Sequence, residues 1–245
     1  MLRGAITTIL LCTAFAAWSA AATLKPRMVE LDQLVLAEDF NQPAPLDNKK
    51  WQPRQHTRWS IEDGVLRGIP STQEYQASRK DHQGFEPRLS IPSCPQEFAI
   101  EFSIRFVKGE QTPLCPFIEF GHHVGRIYWN EDGAALLADH ESVQLDSNSA
   151  FKLESGKWYH GLAEIKGDEM LITFEHGPFF YGKHPGLAVK KDGFGVAGFS
   201  MGTVELDNIQ VWSVKSGTNP DWKNFRTTFA TKPPKVLKPE IADKS

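Results

Sequence analysis

Cysteine is scarce, with three in 245 residues. Cys12 falls in an apolar leader, so only Cys94 and Cys115 remain beyond it, which excludes a dense disulfide framework. Clustered positive charge is also missing. The chain has 27 Lys and Arg against 30 Asp and Glu, a formal net charge of −3, and scattered basic residues. It therefore lacks the electrostatic footprint of a nucleic-acid binder. After the leader no apolar run approaches the ~20 residues of a membrane span. The expectation is no nucleic-acid partner and no membrane insertion. Helical spacing is absent over any useful length before residue 215, so a βαβ architecture is excluded as well. No internal repeat is evident.

What is present begins with that leader. Arg3 precedes an almost wholly apolar stretch over 5–17, and AWSAAA (17–22) supplies small residues suited to cleavage. Residues 1–22 thus read as a signal peptide, which predicts export to a periplasmic or extracellular compartment. Residues 23–33 read as a lead-in, 34–214 as one all-β domain, and 215–245 as a largely disordered tail with a short helical turn near Trp222. The Pro- and Lys-rich TKPPKVLKPEIADKS (231–245) cannot bury a core.

Within 34–214 the strand signals follow one another. WSIEDGVLRG (59–68) reads as a hairpin, its Asp63-Gly64 supplying the positive backbone angles of a tight turn. A polar loop over 71–84 follows. Phe98, Ile100, Phe102, Ile104 and Phe106 then alternate with Glu97, Glu101, Ser103 and Arg105, the pattern of a half-buried strand. Further strands are expected near 85–91, 143–145, 157–166, 170–175, 194–199 and 203–214. The series predicts an antiparallel β-sandwich. Residues 97–106 and 116–121 read as a hairpin turning near Gly109. That register places Cys115 opposite about position 104, away from Cys94; a disulfide between the two cysteines is permitted only with a rearranged loop.

The stretch CPFIEFGHHVGRIYWNEDGAALLADH (115–140) is the centre of the functional reading. Alternation places Ile118, Phe120, Ile127 and Trp129 toward a core and Glu119, Arg126 and Tyr128 on the opposite face, with His122 and His123 at the turn between two strands. An antiparallel pair folding there sets Glu119 opposite about Arg126, within reach of direct pairing or of a shared ligand hydroxyl. Asp139 and His140 complete the set. The competing reading is an ordinary ion pair on a solvated sheet, worth only ~0–1 kcal/mol.

Other motif matches fail on context. GFGVAG (193–198) fits a dinucleotide fingerprint and GFSMG (198–202) a nucleophile elbow, but both need a following helix where a strand is expected. His122, His123, Asp139 and His140 carry metal-capable donors without the spacing of a metal motif, so no metal site and no cofactor are assigned. Asp39, Asn41 and Asp207 would meet if the first and last strands paired, leaving a structural calcium as the alternative. ELDNIQ (205–210) resembles the E-x-D-x-x-E of family 16 glycoside hydrolases, but Gln210 replaces the third carboxylate, and an amide can neither attack nor donate a proton. It reads instead as a core strand with Val204, Leu206, Ile209 and Val211 inward and a bulge at Asp207-Asn208.

Taken together, EDF (38–40), the 59–68 hairpin, the Phe/Ile strand, GKWYH (156–160) and VELDNIQV (204–211) resemble the concanavalin A-like jelly-roll proteins, in particular the bacterial 3-keto-disaccharide hydrolase family. The resemblance implies a jelly roll that binds or cleaves glycans and oxidised disaccharides on a curved sheet face. The family's asparagine-serine-glycine segment is replaced here by TPLCPF (112–117), so no catalytic residue is carried over. Three readings stay open. A carbohydrate-binding protein would stack a pyranose on Tyr128 and hold hydroxyls with Glu119 and Arg126. A hydrolase or lyase would use Glu119 or Asp139 as acid or base and His122 or His123 as a proton shuttle. A non-catalytic envelope or scaffold protein would use neither. Binding is preferred because the motifs for catalysis are thin.

Overall fold

The computed structural model describes residues 24–229, apart from 93, 114 and 141, together with 233–237. The expected signal peptide lies outside the described residues, as do 230–232 and 238–245 of the expected tail. The strands begin with β1 (Val29–Glu38), β2 (Gln52–Arg54), β3 (Arg58–Glu62), β4 (Val65–Ile69), β5 (Arg88–Ile91), β6 (Phe98–Val107), β7 (Phe117–Phe120) and β8 (Gly125–Asn130). They continue with β9 (Gly133–Ala138), β10 (Val143–Asn148), β11 (Trp158–Lys166), β12 (Glu169–Phe174), β13 (Phe179–Lys183), β14 (Phe194–Ala197), β15 (Thr203–Thr218) and β16 (Lys235–Val236). Two short helices, α1 (Gln73–Ser78) and α2 (Trp222–Arg226), interrupt the series.

The strands form two sheets. The first runs β13-β12-β11-β6-β15-β4-β3, with β1 also paired to β15, and the second runs β16-β10-β9-β8-β7-β14-β5-β2. The architecture is the antiparallel β-sandwich that the strand series predicts. Alternation fixes which side chains enter the core. Phe98, Ile100, Phe102, Ile104 and Phe106 come from the first sheet and Ile118, Phe120, Ile127 and Trp129 from the second, all in one buried cluster. Gly161 lies opposite Phe102, and a Cβ there would come within 2.5 Å of the Phe102 ring. The missing side chain is the space the ring occupies. In β15 the register slips between Asp207 and Gln210, Asn208 takes a φ of 49°, and Val204, Leu206, Ile209 and Val211 all stay buried. The 59–68 hairpin also forms as expected, with Asp63 and Gly64 at φ 52° and 77°.

Several expectations are corrected. β6 and β7 are not a hairpin: β6 pairs β11 and β15, and β7 pairs β8 and β14 in the other sheet. The chain leaves the first sheet after Val107, and Glu110 exchanges backbone bonds of 2.8 and 2.9 Å with Ser200, which carries it across. The disulfide left open between Cys94 and Cys115 does not form, and both are free thiols. The loop over 71–84 contains α1, started by Thr72, whose hydroxyl accepts from the Tyr75 amide. β2 and β13 lack a clear sequence signal, being short and interrupted by Pro53 and Gly182.

The domain also extends past residues 34 and 214. β1 starts at Val29 and β15 ends at Thr218, and three register shifts in their pairing break the alternation that would have revealed it. The outer face of the first sheet is not open to water. Met28, Val29, Trp212 and Trp222 pack on Ala99, Leu162 and Leu171 in a second buried cluster. Glu164, fully buried there, accepts backbone N–H bonds from Arg27, Met28 and Val29 at 2.7–3.1 Å. One carboxylate therefore anchors the lead-in. The Trp222 indole donates to Glu169 at 3.1 Å, which anchors α2.

Candidate functional site

The outer face of the second sheet carries the site, and strand register builds it row by row. One row crosses Gln52, Ser90, Gly195, Glu119 and Arg126 on β2, β5, β14, β7 and β8. The next row on the same face crosses Arg54, Arg88, Ala197, Phe117 and Tyr128. Gly195 matters in the first row, because a Cβ would come within 2.8 Å of the Glu119 carboxylate. The missing side chain is the space that the Glu119 side chain occupies.

Loops raise walls around this floor. The link from β2 to β3 turns through Gln55 and His56, both at positive φ (53° and 54°), and stacks the His56 ring on Tyr75 of α1 with centroids 4.4 Å apart. Gln55 bonds the His82 ring at 3.0 Å. Thr57 fastens the wall to β5, its hydroxyl lying 2.8 Å from the Arg54 carbonyl and 2.9 Å from that of Arg88. On the other side the turn between β7 and β8 presents His122 and His123, with the backbone bent through Gly121 and His123 at φ 79° and 56°. The open cavity between them has a volume of about 1060 Å³ and is lined by Arg54, His56, Tyr75, Arg79, His82 and Arg88 as well as Glu119, His122, His123 and Arg126.

Glu119 and Arg126 pair directly across the strands, at 3.2 Å. The pair is buried rather than solvated, with side-chain exposures of 10% and 3%. Arg126 Nη2 also lies 3.1 Å from Asp139, and its guanidinium sits 4.0 Å from the centre of the Phe117 ring. Arg88 approaches the same ring at 5.5 Å. His122 donates from Nδ1 to Glu119 at 3.3 Å, and its backbone N–H is held by Asp192 at 2.8 Å. Burial alone would raise the Glu119 carboxyl. The His122 hydrogen bond and the Arg126 charge outweigh it and hold the group at about 2. Glu119 in turn raises the His122 imidazole.

Of the seven residues that the sequence singles out, the structure gathers Glu119, His122, His123 and Arg126 in the cavity wall and floor. Asp139 lies behind them, 2.8 Å from His123. His140 is exposed, its ring 6.2 Å from that of His123 and outside the cavity. Tyr128 is the correction. It shares the face, but is buried among Cys115, Ala135, Leu137 and Leu237 on the side away from the cavity. The aromatic wall is Tyr75 instead. Arg54, His56, Tyr75, Arg79, His82 and Arg88 escape sequence reading because they lie in short elements and the loops between them, brought to the site by the long-range β2–β5 and β5–β14 pairings. The density of basic and amide side chains in QPRQHTR (52–58) is the one signal that points to them.

Among the described residues no group of three His, Cys, Asp or Glu side chains is placed to hold a metal ion. β1 does pair β15, and the Asp39 charge reaches Asp207, whose carboxyl is raised first by burial and then by Asp39. Asn41 turns its amide onto Asp39 at 2.9 Å. Glu205, of the family 16-like pattern, is buried between Arg67, at 2.7 Å, and Arg105 on the first sheet, remote from the cavity.

No protein-family profile and no curated protein matches the chain in sequence. Solved structures do match in shape. The cellulose induced protein Cip1 superposes with a TM-score of 0.52 at 14% identity, over 74% of this chain and 99% of that one. A non-specific endo-beta-1,3(4)-glucanase of family GH16 superposes at 0.50 and 13% identity, over 77% and 94%. A beta-1,3-glucanase from Mycobacterium marinum gives 0.50 and 13%, over 74% and 99%. The fold is a concanavalin-like jelly roll. At these identities the likeness concerns the fold alone.

Proposed function

We propose that this protein is an exported jelly-roll protein that binds carbohydrate in the cavity above Glu119 and Arg126 without turning it over. The observation that carries the reading is the state of Glu119. A carboxyl held at about 2 is ionised throughout the neutral range, so it has no proton to give a leaving group. Locked onto Arg126 and His122, it is also a weak base and a poor nucleophile. Glycoside hydrolysis of the usual kind needs two carboxyl groups facing the sugar, and among the described residues Glu119 is the single carboxylate lining the cavity. The same features suit recognition. A fixed carboxylate accepts sugar hydroxyls, Gln52, Ser90 and the imidazoles donate or accept, and Tyr75 offers a flat apolar edge. The glucanases that share the fold support a carbohydrate ligand. The hydrolase reading for 3-keto-disaccharides has no second carboxylate in the cavity to work with.

The test is a panel of neutral and acidic polysaccharides and 3-keto-disaccharides incubated with the purified protein, with retention and product scored separately. Retention without product is expected. His122→Ala, at a largely exposed side chain, should weaken retention several-fold and leave the protein folded, its melting temperature lowered by a few degrees for the lost bond to Glu119. Product formation would overturn the binding reading, and retention unaffected by the substitution would move the ligand elsewhere.

A further inference from the structure

We infer that the ligand is an acidic saccharide, whose carboxylate or sulfate ester is seated between Arg54, Arg88 and His122. The inference rests on the reading of the cavity as a sugar site and adds the sign of the ligand's charge. The chain has a formal net charge of −3, yet this cavity is lined by four arginines and four histidines against one carboxylate. Only part of that charge is answered from within. Arg126 is engaged by Glu119 and Asp139. Arg88 has Glu86 at 3.9 Å, the outer limit of an ion pair. Arg54 and Arg79 form no ion pair among the described residues; Arg79 lies only over the Tyr75 ring, at 5.9 Å.

Placement sharpens the point. Arg54 and Arg88 are direct cross-strand partners on β2 and β5, a juxtaposition of like charges that costs stability unless something anionic answers it. Arg54, Arg88 and His122 all line this one cavity, and the Arg54 charge opposes protonation of His122. Planar guanidinium forks match the paired oxygens of a carboxylate or sulfate. The neighbouring row explains why the anion should belong to a sugar. Gln52, Ser90 and Glu119 stand one row along the same face, with the Glu119 side chain lying over Gly195. One row thus meets hydroxyls and the next meets charge.

The experiment is calorimetric titration of the full chain with four probes of matched length: an oligogalacturonate, a sulfated galactan oligosaccharide, a neutral β-1,3-gluco-oligosaccharide and inorganic polyphosphate. At least one acidic oligosaccharide should bind about tenfold or more tightly than the neutral one, and the two acidic arms identify the oxyanion. The advantage should shrink between about 0.05 and about 0.5 M salt. Arg54→Gln, at the exposed end of the edge strand β2, should remove most of the acidic probe's advantage over the neutral one. Equal or tighter binding of the neutral probe overturns the inference while the sugar site stands. Polyphosphate bound as tightly as the acidic sugars overturns both, as does failure of every saccharide to bind.

Discussion

Glu119 is a carboxyl on which two opposing effects act, and the balance between them yields a dated signature in pH. Its pKa is depressed from the ordinary 4.5 to about 2. The stabilisation it brings is therefore fully present above pH 4.5 and is lost as the pH falls toward 2, a loss of order ~3 kcal/mol for a shift of this size. His122 has the opposite sign. Its pKa is raised by Glu119, so its share is present below 6.5 and is lost as the pH rises through the raised value. The pair is complete only between these limits. Glu119→Gln leaves Arg126 buried with Asp139 as its one remaining carboxylate, and it should cost roughly 3 kcal/mol near pH 6. Urea denaturation of both proteins from pH 2.5 to 8 checks this. The difference should be largest near pH 5–6 and fall to about a quarter of that at pH 2.5; a constant difference would assign the loss to packing. Lys191 and Asp192 flank this turn, but only Asp192 bonds to it.

At the scale of the element, the lead-in illustrates how a segment with poor strand alternation is held in place. Residues 27–29 present three successive backbone N–H groups to the buried Glu164 carboxylate. Burial raises that carboxyl, and the three backbone bonds work against the rise. Glu164→Gln replaces one acceptor oxygen by a donor facing N–H groups. An unsatisfied buried group costs about 1–3 kcal/mol. The expected outcome is a global loss of that size with accelerated hydrogen exchange at the amides of Met28 and Val29. Exchange unchanged at both would show that the anchor is apolar packing by Met28 and Trp222 instead. This is also where sequence reading reaches its limit. β6, β15 with its bulge, and the 59–68 hairpin are legible because each has one inward face and a period of two. β1 hides its start behind register shifts, and β2, three residues long with Pro53 in the middle, has no period to read.

At the scale of the molecule, the same distinction separates fold from site. Alternation identifies the buried set of Phe98, Phe102, Ile118, Phe120, Trp129, Leu206 and Val211, all at 0% exposure. Phe102, tucked against Gly161 and contacting Phe174 and Phe194, should cost about 3–5 kcal/mol when cut to Ala. Thermal and urea unfolding measure it, and a loss below ~1 kcal/mol would mean the core collapses around the gap. The cavity was legible only in its β7–β8 half, where Glu119, His122, His123 and Arg126 are close in sequence. Its basic half depends on β5 lying between β2 and β14, a long-range pairing that local pattern does not encode. The pairing of β1 with β15 sets Val29 against Thr218, and it gives the molecule an order in time. A chain made from its N-terminus exposes β1 for nearly the whole of its synthesis before its partner exists. Loop closure over that separation must precede any reward from the contact. Until then the unpaired backbone edge of β1, and the apolar strip of Met28 and Val29 beside the segment that Glu164 will anchor, are open to any other strand nearby. A strand made near the end of synthesis, β15, is thus the one that releases the first from waiting.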